Sequence, residues 1–312
     1  MTDVDPQPSA PDLRRQVVRL GGEHLLNTAR LAIRTVNSDL VTATLFMAIS
    51  RSNVREVTAA AQKEPHYSGL DEIPPDELRR PISVYALARE LRLPYETARR
   101  YAGKLLRARI VERVGDGLVI PAMVYARTSM RQILEETCQE TQRFVDALAE
   151  AGVRGPPVAA AEGDRRRQIL RLAVDYYLRC IDRLTTDLEL DMVHALVYVA
   201  VVQANVRHMI ADGALATEFA GLETVPPDRV RKAVSVYAVA RELRLPYETT
   251  RRYAGQLIAQ GLCARGEEGG LMVPQQVHRR PRLLAGVDGA WSDTQAYLRD
   301  LAAIGVGPSR GG

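Results

Sequence analysis

The residues best suited to specific chemistry are two pairs of adjacent arginines, Arg99 with Arg100 and Arg251 with Arg252. A guanidinium group presents a rigid planar fork of donors, which matches a carboxylate, a phosphate or the paired acceptors of a base edge. At 3.6 residues per turn, apolar residues of the first segment fall on one helical face: Ala98, Tyr101, Ala102 and Leu105. The opposite face is mainly polar: Glu96, Arg100, Gly103 and Arg107. The spacing predicts a helix that packs on one side and presents cations on the other.

These arginines belong to a stretch that occurs twice. Residues 83–103 read SVYALARELRLPYETARRYAG, and residues 235–255 agree with them at 19 of 21 positions. In each copy a short apolar-periodic segment begins at a serine, ends at a Leu-Arg-Leu-Pro break, and is followed by the arginine-rich segment. This is the pattern of a helix-turn-helix.

Gly103 and Gly255 lie within the cationic faces. A glycine inside a helix costs about 1 kcal/mol relative to alanine, which favours the close approach of a partner such as a duplex backbone. The alternative interpretation is a solvated arginine-rich face on which Glu96 and Arg100 pair at i,i+4.

Each copy continues into a predicted β-hairpin. Residues 110–113 and 118–121 flank a Gly-Asp-Gly turn, and the second copy, from residue 261, has one more residue in its turn. With the stretch LRLPYETARRYAGKLLRARIVER, this arrangement resembles the winged helix-turn-helix transcription regulators, the broad class of MarR-, IclR- and GntR-type proteins. The resemblance implies two winged helices, at about residues 73–122 and 225–275.

The resemblance also implies which residues face DNA. The major-groove positions are Tyr95, Glu96, Thr97, Arg99, Arg100 and Lys104, with Tyr247, Glu248, Thr249, Arg251, Arg252 and Gln256 in the second copy. Arg100 and Arg252 are the best candidates for bidentate guanine contacts, and Glu96 and Glu248 for accepting from cytosine N4. The residues expected to contact the phosphate backbone are Arg89, Arg92, Lys104, Arg241, Arg244 and Gln256. The wing turns carry Asp116, Glu267 and Glu268, so minor-groove insertion by the wings is not expected.

The repetition extends over most of the chain. Asp39, Asn53, Val54 and Arg55 recur 152 residues later, and ETQRFVDALAEAGV from Glu140 matches DTQAYLRDLAAIGV from Asp293 with the register shifted by one. The predicted organisation is a disordered tail (1–12), a first repeat unit (13–153), a linker (154–165), a second repeat unit (166–306) and a tail (307–312). We therefore expect a mainly α fold, built as a tandem duplication of a helical unit that contains a winged helix-turn-helix with a small β-hairpin wing.

Each unit is predicted to contain an opening helix (13–35 and 166–188), an apolar helix (40–60 and 192–211) and a closing helix (128–151 and 289–303). The apolar helices are hydrophobic over most of their circumference and must be buried nearly all round. Either they pack against each other as the seam of a pseudo-two-fold, or each is the core of its own unit. A two-fold relation predicts inverted half-sites in a bound duplex, and a tandem relation predicts direct ones.

Charge and composition set the class of protein. The net charge is +4, but residues 79–113 hold ten Lys/Arg against three Asp/Glu and residues 229–265 hold eight against two, so the rest of the chain is net negative. Positive charge is thus concentrated at the predicted recognition helices. The three scattered cysteines fit a reducing compartment. The N-terminus lacks a signal-peptide pattern, and the longest apolar run, residues 195–202, is shorter than the ~18 residues of a membrane span, so a cytoplasmic, nucleoid-associated protein is expected.

Motifs for nucleotide binding, acyl transfer and zinc proteolysis are absent, and the five histidines have no metal-ligand spacing, so no enzyme, metal or cofactor is expected. Tyr176 and Tyr177 could line an effector cavity between helices or pack in the core. The sequence predicts a sequence-specific double-stranded DNA-binding transcription regulator that reads two similar half-sites with two near-identical recognition helices. A small-molecule effector and a homodimer are possible partners. The alternatives are a replication initiator-like DNA-binding protein and a winged-helix interaction module of a chromosome-structure complex.

Overall fold

The computed structural model describes residues 11–61, 66–266 and 269–309, and the fold is mainly α. Residues 13–153 and 166–306 keep the labels first and second unit from the sequence prediction. Within the described ranges the first of them contains α1 (Arg14–Val36), α2 (Leu40–Asn53), α3 (Arg55–Ala61), α4 (Val84–Glu90), α5 (Tyr95–Arg107), α6 (Ala122–Tyr125) and α7 (Thr128–Glu150). The second contains α8 (Arg166–Leu188), α9 (Met192–Ala211), α10 (Gly213–Glu218), α11 (Val236–Leu243), α12 (Tyr247–Ala259), α13 (Gln275–His278) and α14 (Pro281–Ala303). The strands are β1 (Ile82–Ser83), β2 (Glu112–Val114), β3 (Gly117–Val119), β4 (Ala264–Arg265) and β5 (Leu271–Met272).

The predicted helix bounds need two corrections. The predicted helix 40–60 is interrupted at Val54, between α2 and α3, whereas the matching α9 runs unbroken to Ala211. The closing helix α14 begins at Pro281 and not at Gly289, because proline is well suited to the first turn of a helix. Its two inner glycines lie against α8: a Cβ at Gly289 would be 2.0 Å from Arg183 Nη1. The close packing of α8 thus explains why α14 contains two glycines, which disfavour a helix in the sequence.

The four long helices α1, α7, α8 and α14 pack reciprocally. α1 lies against α7 and α2 of its own unit and against α14 and α9 of the second unit. α8 lies against α14 and α9 of its own unit and against α7 and α2 of the first. Each opening helix therefore contributes to the packing of both units, and one large hydrophobic cluster contains residues from both.

The apolar helices α2 and α9 are buried along most of their length. Each begins at an aspartate N-cap: Asp39 accepts from the Thr42 N–H, and Asp191 from those of Val193 and His194. The predicted α2–α9 seam is not formed. Each apolar helix packs mainly within its own unit, but the opening helix of the other unit also contacts it, so it is not the core of its own unit alone. α9 is long and apolar enough for a membrane span by length and composition, but 67% of its apolar window is buried inside the protein.

The N-terminus of each opening helix binds the loop of the opposite unit. The Arg15 N–H donates to Ala220 O (2.9 Å), and the Arg167 N–H donates to Ser68 O (2.8 Å). Asp12 Oδ2 accepts from the Leu222 N–H, and Asp164 Oδ2 accepts from the Leu70 N–H, each at 2.8 Å. We refer to these two matched sets of contacts as the cross-unit latches.

Residues assigned to the tails and the linker also make contacts. Asp12 belongs to a latch and is not part of a disordered tail. In the predicted C-terminal tail, the Ser309 N–H donates to Asp146 Oδ1 at 2.7 Å. In the linker, the Ala159 N–H donates to Ala302 O at 2.9 Å. The rest of the predicted tails, residues 1–10 and 310–312, and the wing-turn residues Glu267 and Glu268 lie outside the described residues.

We predict that the latches make the protein sensitive to acid. Hydrogen bonds from Arg14 and Arg166 hold the pKa values of Asp12 and Asp164 well below the usual range. A carboxylate with a lowered folded-state pKa stabilises the fold at neutral pH, and this contribution is lost as the pH falls below about 4. Asp12→Asn with Asp164→Asn should lower Tm at pH 7 and flatten the decline of Tm between pH 4 and 2, as followed by circular dichroism. Asp116→Asn, in an exposed hairpin turn, is the control. An unchanged acid profile in the double variant would contradict the latch assignment.

Candidate nucleic-acid interface

The arginine-rich helices α5 and α12 are positioned by identical local devices. Ser83 Oγ accepts from the Ala86 N–H, and Ser235 Oγ from the Ala238 N–H, each at 3.1 Å, so both preceding helices begin at a serine cap. Arg92 (φ 49°) and Arg244 (φ 48°) make the left-handed turn that separates the two helices of each pair. The prediction of two helices joined by a tight turn is therefore met in both copies.

The predicted apolar face of each arginine-rich helix packs inward. The buried residues of α5 are Ala98, Ala102 and Leu105, and those of α12 are Thr250, Ala254 and Leu257. Tyr101 and Tyr253 lie at the edge of this face and are half-buried. The amphipathic division expected from the sequence is thus present in both helices.

A short hairpin follows each arginine-rich helix. In the first unit β2 and β3 pair antiparallel, with Arg113 opposite Leu118, and β1 adds a third strand in the order β1-β3-β2. In the second unit β4 pairs with β5, and Val234 forms an isolated bridge to Leu271. Gly115 adopts φ 57° in the first turn, a conformation that suits glycine.

A buried asparagine joins each hairpin to the apolar helix. Asn53 Nδ2 donates to Arg80 O (2.7 Å) and Leu118 O (3.1 Å), while Asn53 Oδ1 accepts from the Ile120 N–H (2.9 Å). Asn205 repeats all three contacts at the same distances, with Lys232, Leu271 and Val273. Each carboxamide therefore pairs with three backbone groups, two of them fully buried, and connects the hairpin to the end or the middle of the apolar helix.

Most of the sequence-predicted DNA-contacting residues lie on the surface. The exposed members are Arg89, Arg92, Tyr95, Glu96, Arg99, Arg100, Arg241, Arg244, Tyr247, Glu248, Arg251, Arg252 and Gln256. Thr97, Lys104 and Thr249 are half-buried. Tyr95 and Tyr247 have the same exposed fraction, 48%. Apart from Lys104 and its counterpart Gln256, the two copies thus present matching side chains with matching exposure.

The glutamate of each helix pairs with the first arginine of the doublet, three residues later. Glu96 Oε2 lies 2.7 Å from Arg99 Nη2, and Glu248 Oε2 lies 2.8 Å from Arg251 Nη2. The alternative pairing of Glu96 with Arg100 is not formed. Arg100 instead lies over the Tyr101 ring, 5.0 Å from its centroid, and Arg252 lies 5.3 Å from that of Tyr253. Such cation–π contacts leave the guanidinium N–H donors available to a further acceptor.

Lys104 connects α5 to the apolar helix α2, and Gln256 connects α12 to the apolar helix α9. Lys104 Nζ lies 2.7 Å from Asp39 Oδ2, at the N-cap of α2. Burial raises the pKa of Asp39, but hydrogen bonds from Lys104 and Thr42 outweigh burial, so the pKa is lowered. In the second unit His194 bridges the equivalent positions: its Nδ1 lies 2.7 Å from Asp191 Oδ2 and its Nε2 lies 2.6 Å from Gln256 Oε1.

Arg92 also contacts the opening helix of the second unit, since its Nη2 donates to Thr186 Oγ1 near the end of α8 at 2.8 Å.

Two exposed tyrosines that lie next to Arg89 and Arg241 were not identified from the sequence. Tyr85 and Tyr237 are 68% and 65% exposed, and each lies four residues before Arg89 or Arg241 on the same helical face. The sequence feature that could have identified them is a large aromatic residue at the same position of both copies, on the polar face of the helix.

The structure offers no metal site within the described residues, because no group of three or more His, Cys, Asp or Glu side chains is placed to hold an ion. The three cysteines are free, and burial raises the pKa of each thiol to about 12. No protein-family model, curated protein or solved structure matches the chain.

We predict that the asparagine contacts hold each hairpin in place. Asn53→Ala removes three hydrogen bonds to backbone groups, two of them buried, and should lower the free energy of unfolding by about 2 to 3 kcal/mol, measured by urea denaturation. Asn205→Ala should have a similar effect, because its contacts are the same. Glu56→Gln, which changes an exposed ion pair with Arg80, should leave the unfolding midpoint nearly unchanged. A loss below about 1 kcal/mol in both asparagine variants would contradict this role.

Proposed function

We propose that the protein is a sequence-specific double-stranded DNA-binding transcription regulator that reads two similar half-sites. The observation that carries the proposal is the matched exposure of two near-identical helix surfaces, Tyr95 to Arg100 and Tyr247 to Arg252. These segments differ at one position, Ala98 against Thr250, and both of those side chains are fully buried. Two helices are expected to present the same surface when both bind the same chemical groups.

We further propose that each helix pair and its hairpin form a winged helix-turn-helix. The order helix, turn, helix and antiparallel hairpin, with β1 completing the first sheet, supports this assignment. The assignment also requires a tandem duplication of the whole unit, for which the recurring element order and the 152-residue offset are the support. An α-helix of this kind fits the major groove of B-DNA.

The reciprocal packing favours inverted half-sites. α1 and α8 exchange equivalent contacts across the two units, as do the two latches. An exchange of this kind is the signature of a two-fold relation, in which a surface on one member meets the equivalent surface on the other. We therefore expect the two recognition helices to be related as in a dimeric regulator and the operator to contain an inverted repeat.

The roles of individual side chains follow from their contacts. Arg100 and Arg252 carry no carboxylate partner among the described residues and are suited to bidentate contacts with guanine. Glu96 and Glu248 hold Arg99 and Arg251, so these pairs would act together at a base edge or phosphate. Tyr85 and Tyr237, with Arg89 and Arg241, would donate to the phosphate backbone.

The direct experiment is selection of bound duplexes from a random library by the purified protein at about 0.15 M salt, where non-specific phosphate attraction is reduced. The proposal requires enrichment of two similar half-sites, in inverted orientation. Iterated direct repeats would support the replication initiator-like alternative. Binding that enriches no sequence and disappears steeply with salt would contradict sequence-specific recognition and favour the protein-interaction alternative.

On the selected duplex, Arg100→Ala with Arg252→Ala should lose affinity by about 1 to 3 kcal/mol per contact and relax the preference at the contacted base pairs. The measurement is fluorescence anisotropy on the selected sequence and on single-base variants. Arg154→Ala with Arg299→Ala removes the same charge from exposed positions outside the helix pairs and serves as the control. Equal affinity of wild type and the Arg100/Arg252 variant would contradict the assigned contacts.

A further inference from the structure

A partly open cavity of about 180 Å³ lies where α1, α8, α9 and α14 meet. Its wall is mainly apolar and includes Val18, Leu184, Val199, Leu283 and Val287. The helices that form it come from both units, so the cavity lies at the junction of the reciprocal packing. For scale, a dry apolar cavity of about 150 Å³ holds a benzene molecule.

The matching place in the first unit is nearly filled. A cavity of about 50 Å³ lies there among α1, α2, α7 and α8, and its lining residues correspond to those of the larger cavity at offsets of 152 or 153 residues. Six positions have a clearly smaller residue in the larger cavity: Val18 for Leu170, Gly22 for Val174, Val199 for Met47, Gly286 for Ile133, Val287 for Leu134 and Ala290 for Thr137. Four exchanges run in the opposite direction: Arg183 for Leu31, Leu184 for Ala32, Tyr198 for Phe46 and Val202 for Ser50. The loss of side-chain volume at the first six positions therefore contributes to the difference between the two cavities.

One polar group in the larger cavity lacks a partner. Gln203 is 2% exposed, and its Oε1 accepts no hydrogen bond from the described residues. Its counterpart Arg51 is paired with Glu90 and Asp175. The carboxamide lies against Gly22, where a Cβ would be 1.8 Å from Gln203 Nε2. A buried acceptor without a donor is unusual in a native protein, because its desolvation is not compensated.

The positive charge at one end of the cavity is already engaged. Arg15 donates to Leu222 O, Arg19 to Phe219 O and Ala216 O, and Arg231 to Pro226 O. Burial lowers the pKa of Arg15 and of Arg19 to about 10. The equivalent arginines lie beside the smaller cavity, where Arg167 donates to Leu70 O and Arg171 donates to Tyr67 O. Since the same arginines occur beside both cavities, they serve to hold loops and do not by themselves select an anion.

We propose that the larger cavity binds a compact neutral molecule of one or two rings, and that Gln203 Oε1 accepts the single hydrogen-bond donor of this molecule. The volume admits one such apolar body, and a neutral ligand adds no charge to a low-dielectric site. This inference does not rest on the proposed DNA binding, because it concerns ligand binding by the free protein. The absence of ligand binding would therefore leave the DNA-binding proposal unchanged, and the absence of DNA binding would leave the ligand proposal unchanged.

Indole, with a two-ring body and one N–H donor, is the probe, and benzothiophene is the matched ring system without a donor. Calorimetric titration and thermal melting of the full chain without DNA should show that indole binds about 2- to 10-fold more tightly than benzothiophene. At ten times its Kd, indole should raise Tm by about 2 to 3 °C. Benzoate tests for an anionic ligand. Tighter binding of benzoate than of indole would overturn the neutral class, and the absence of binding by indole and benzothiophene would overturn the site.

Two variants locate the binding. The first-unit side chains introduced by Val199→Met, Val287→Leu and Ala290→Thr should fill the cavity, keep or raise the ligand-free Tm and remove the shift caused by indole. Gln203→Met retains size without the acceptor and should bring the indole and benzothiophene affinities to within about 2-fold of each other. Retained indole binding in the filled variant, or a retained preference for indole in Gln203→Met, would contradict the proposal.

Discussion

The structure depends on how two helices that are apolar nearly all round are kept from water. α2 and α9 have hydrophobic residues on every face, and a single neighbouring helix cannot cover them. The fold covers each with the opening helices of both units, so that α1 and α8 each contact both apolar helices. Burial of this apolar surface is the main favourable term for such a fold. It binds the two units into one body, and the latches strengthen the same junction with matched hydrogen bonds.

This junction also determines where the candidate recognition helices lie. α5 is joined to the N-cap of α2 through Lys104 and Asp39, and α12 to the N-cap of α9 through His194 and Gln256. Because the apolar helices are fixed by α1 and α8, the arginine-rich faces are held on a common scaffold and not on a flexible linker. The 180 Å³ cavity lies at this junction. A ligand there would contact the elements on which the placement of both faces depends.

Local structure could be predicted from the sequence because it depends on neighbouring residues. Serine caps, the Leu-Arg-Leu-Pro turn, the packed face of Ala98 and Leu105, and the full length of α9 were all expected and are observed. The wrong predictions concern contacts between distant segments. The start of α14 was obscured by glycines whose role is to let α8 approach, and Asp12 was assigned to a tail because its partner Leu222 is 210 residues away. The pairing of Glu96 with Arg99 and not with Arg100 is a choice between two allowed helical spacings, which periodicity alone does not resolve.

The most direct test of the reciprocal packing is to produce residues 1–160 and 161–312 as separate chains and to measure folding by circular dichroism and mass by sedimentation. Each piece alone would leave its apolar helix without the opening helix of the other unit and without its latch partner. Reciprocal packing predicts that neither piece folds as a monomer. It also predicts that mixing the pieces restores a 1:1 complex with the melting behaviour of the intact chain. Cooperative melting of each piece as an isolated monomer would contradict the account.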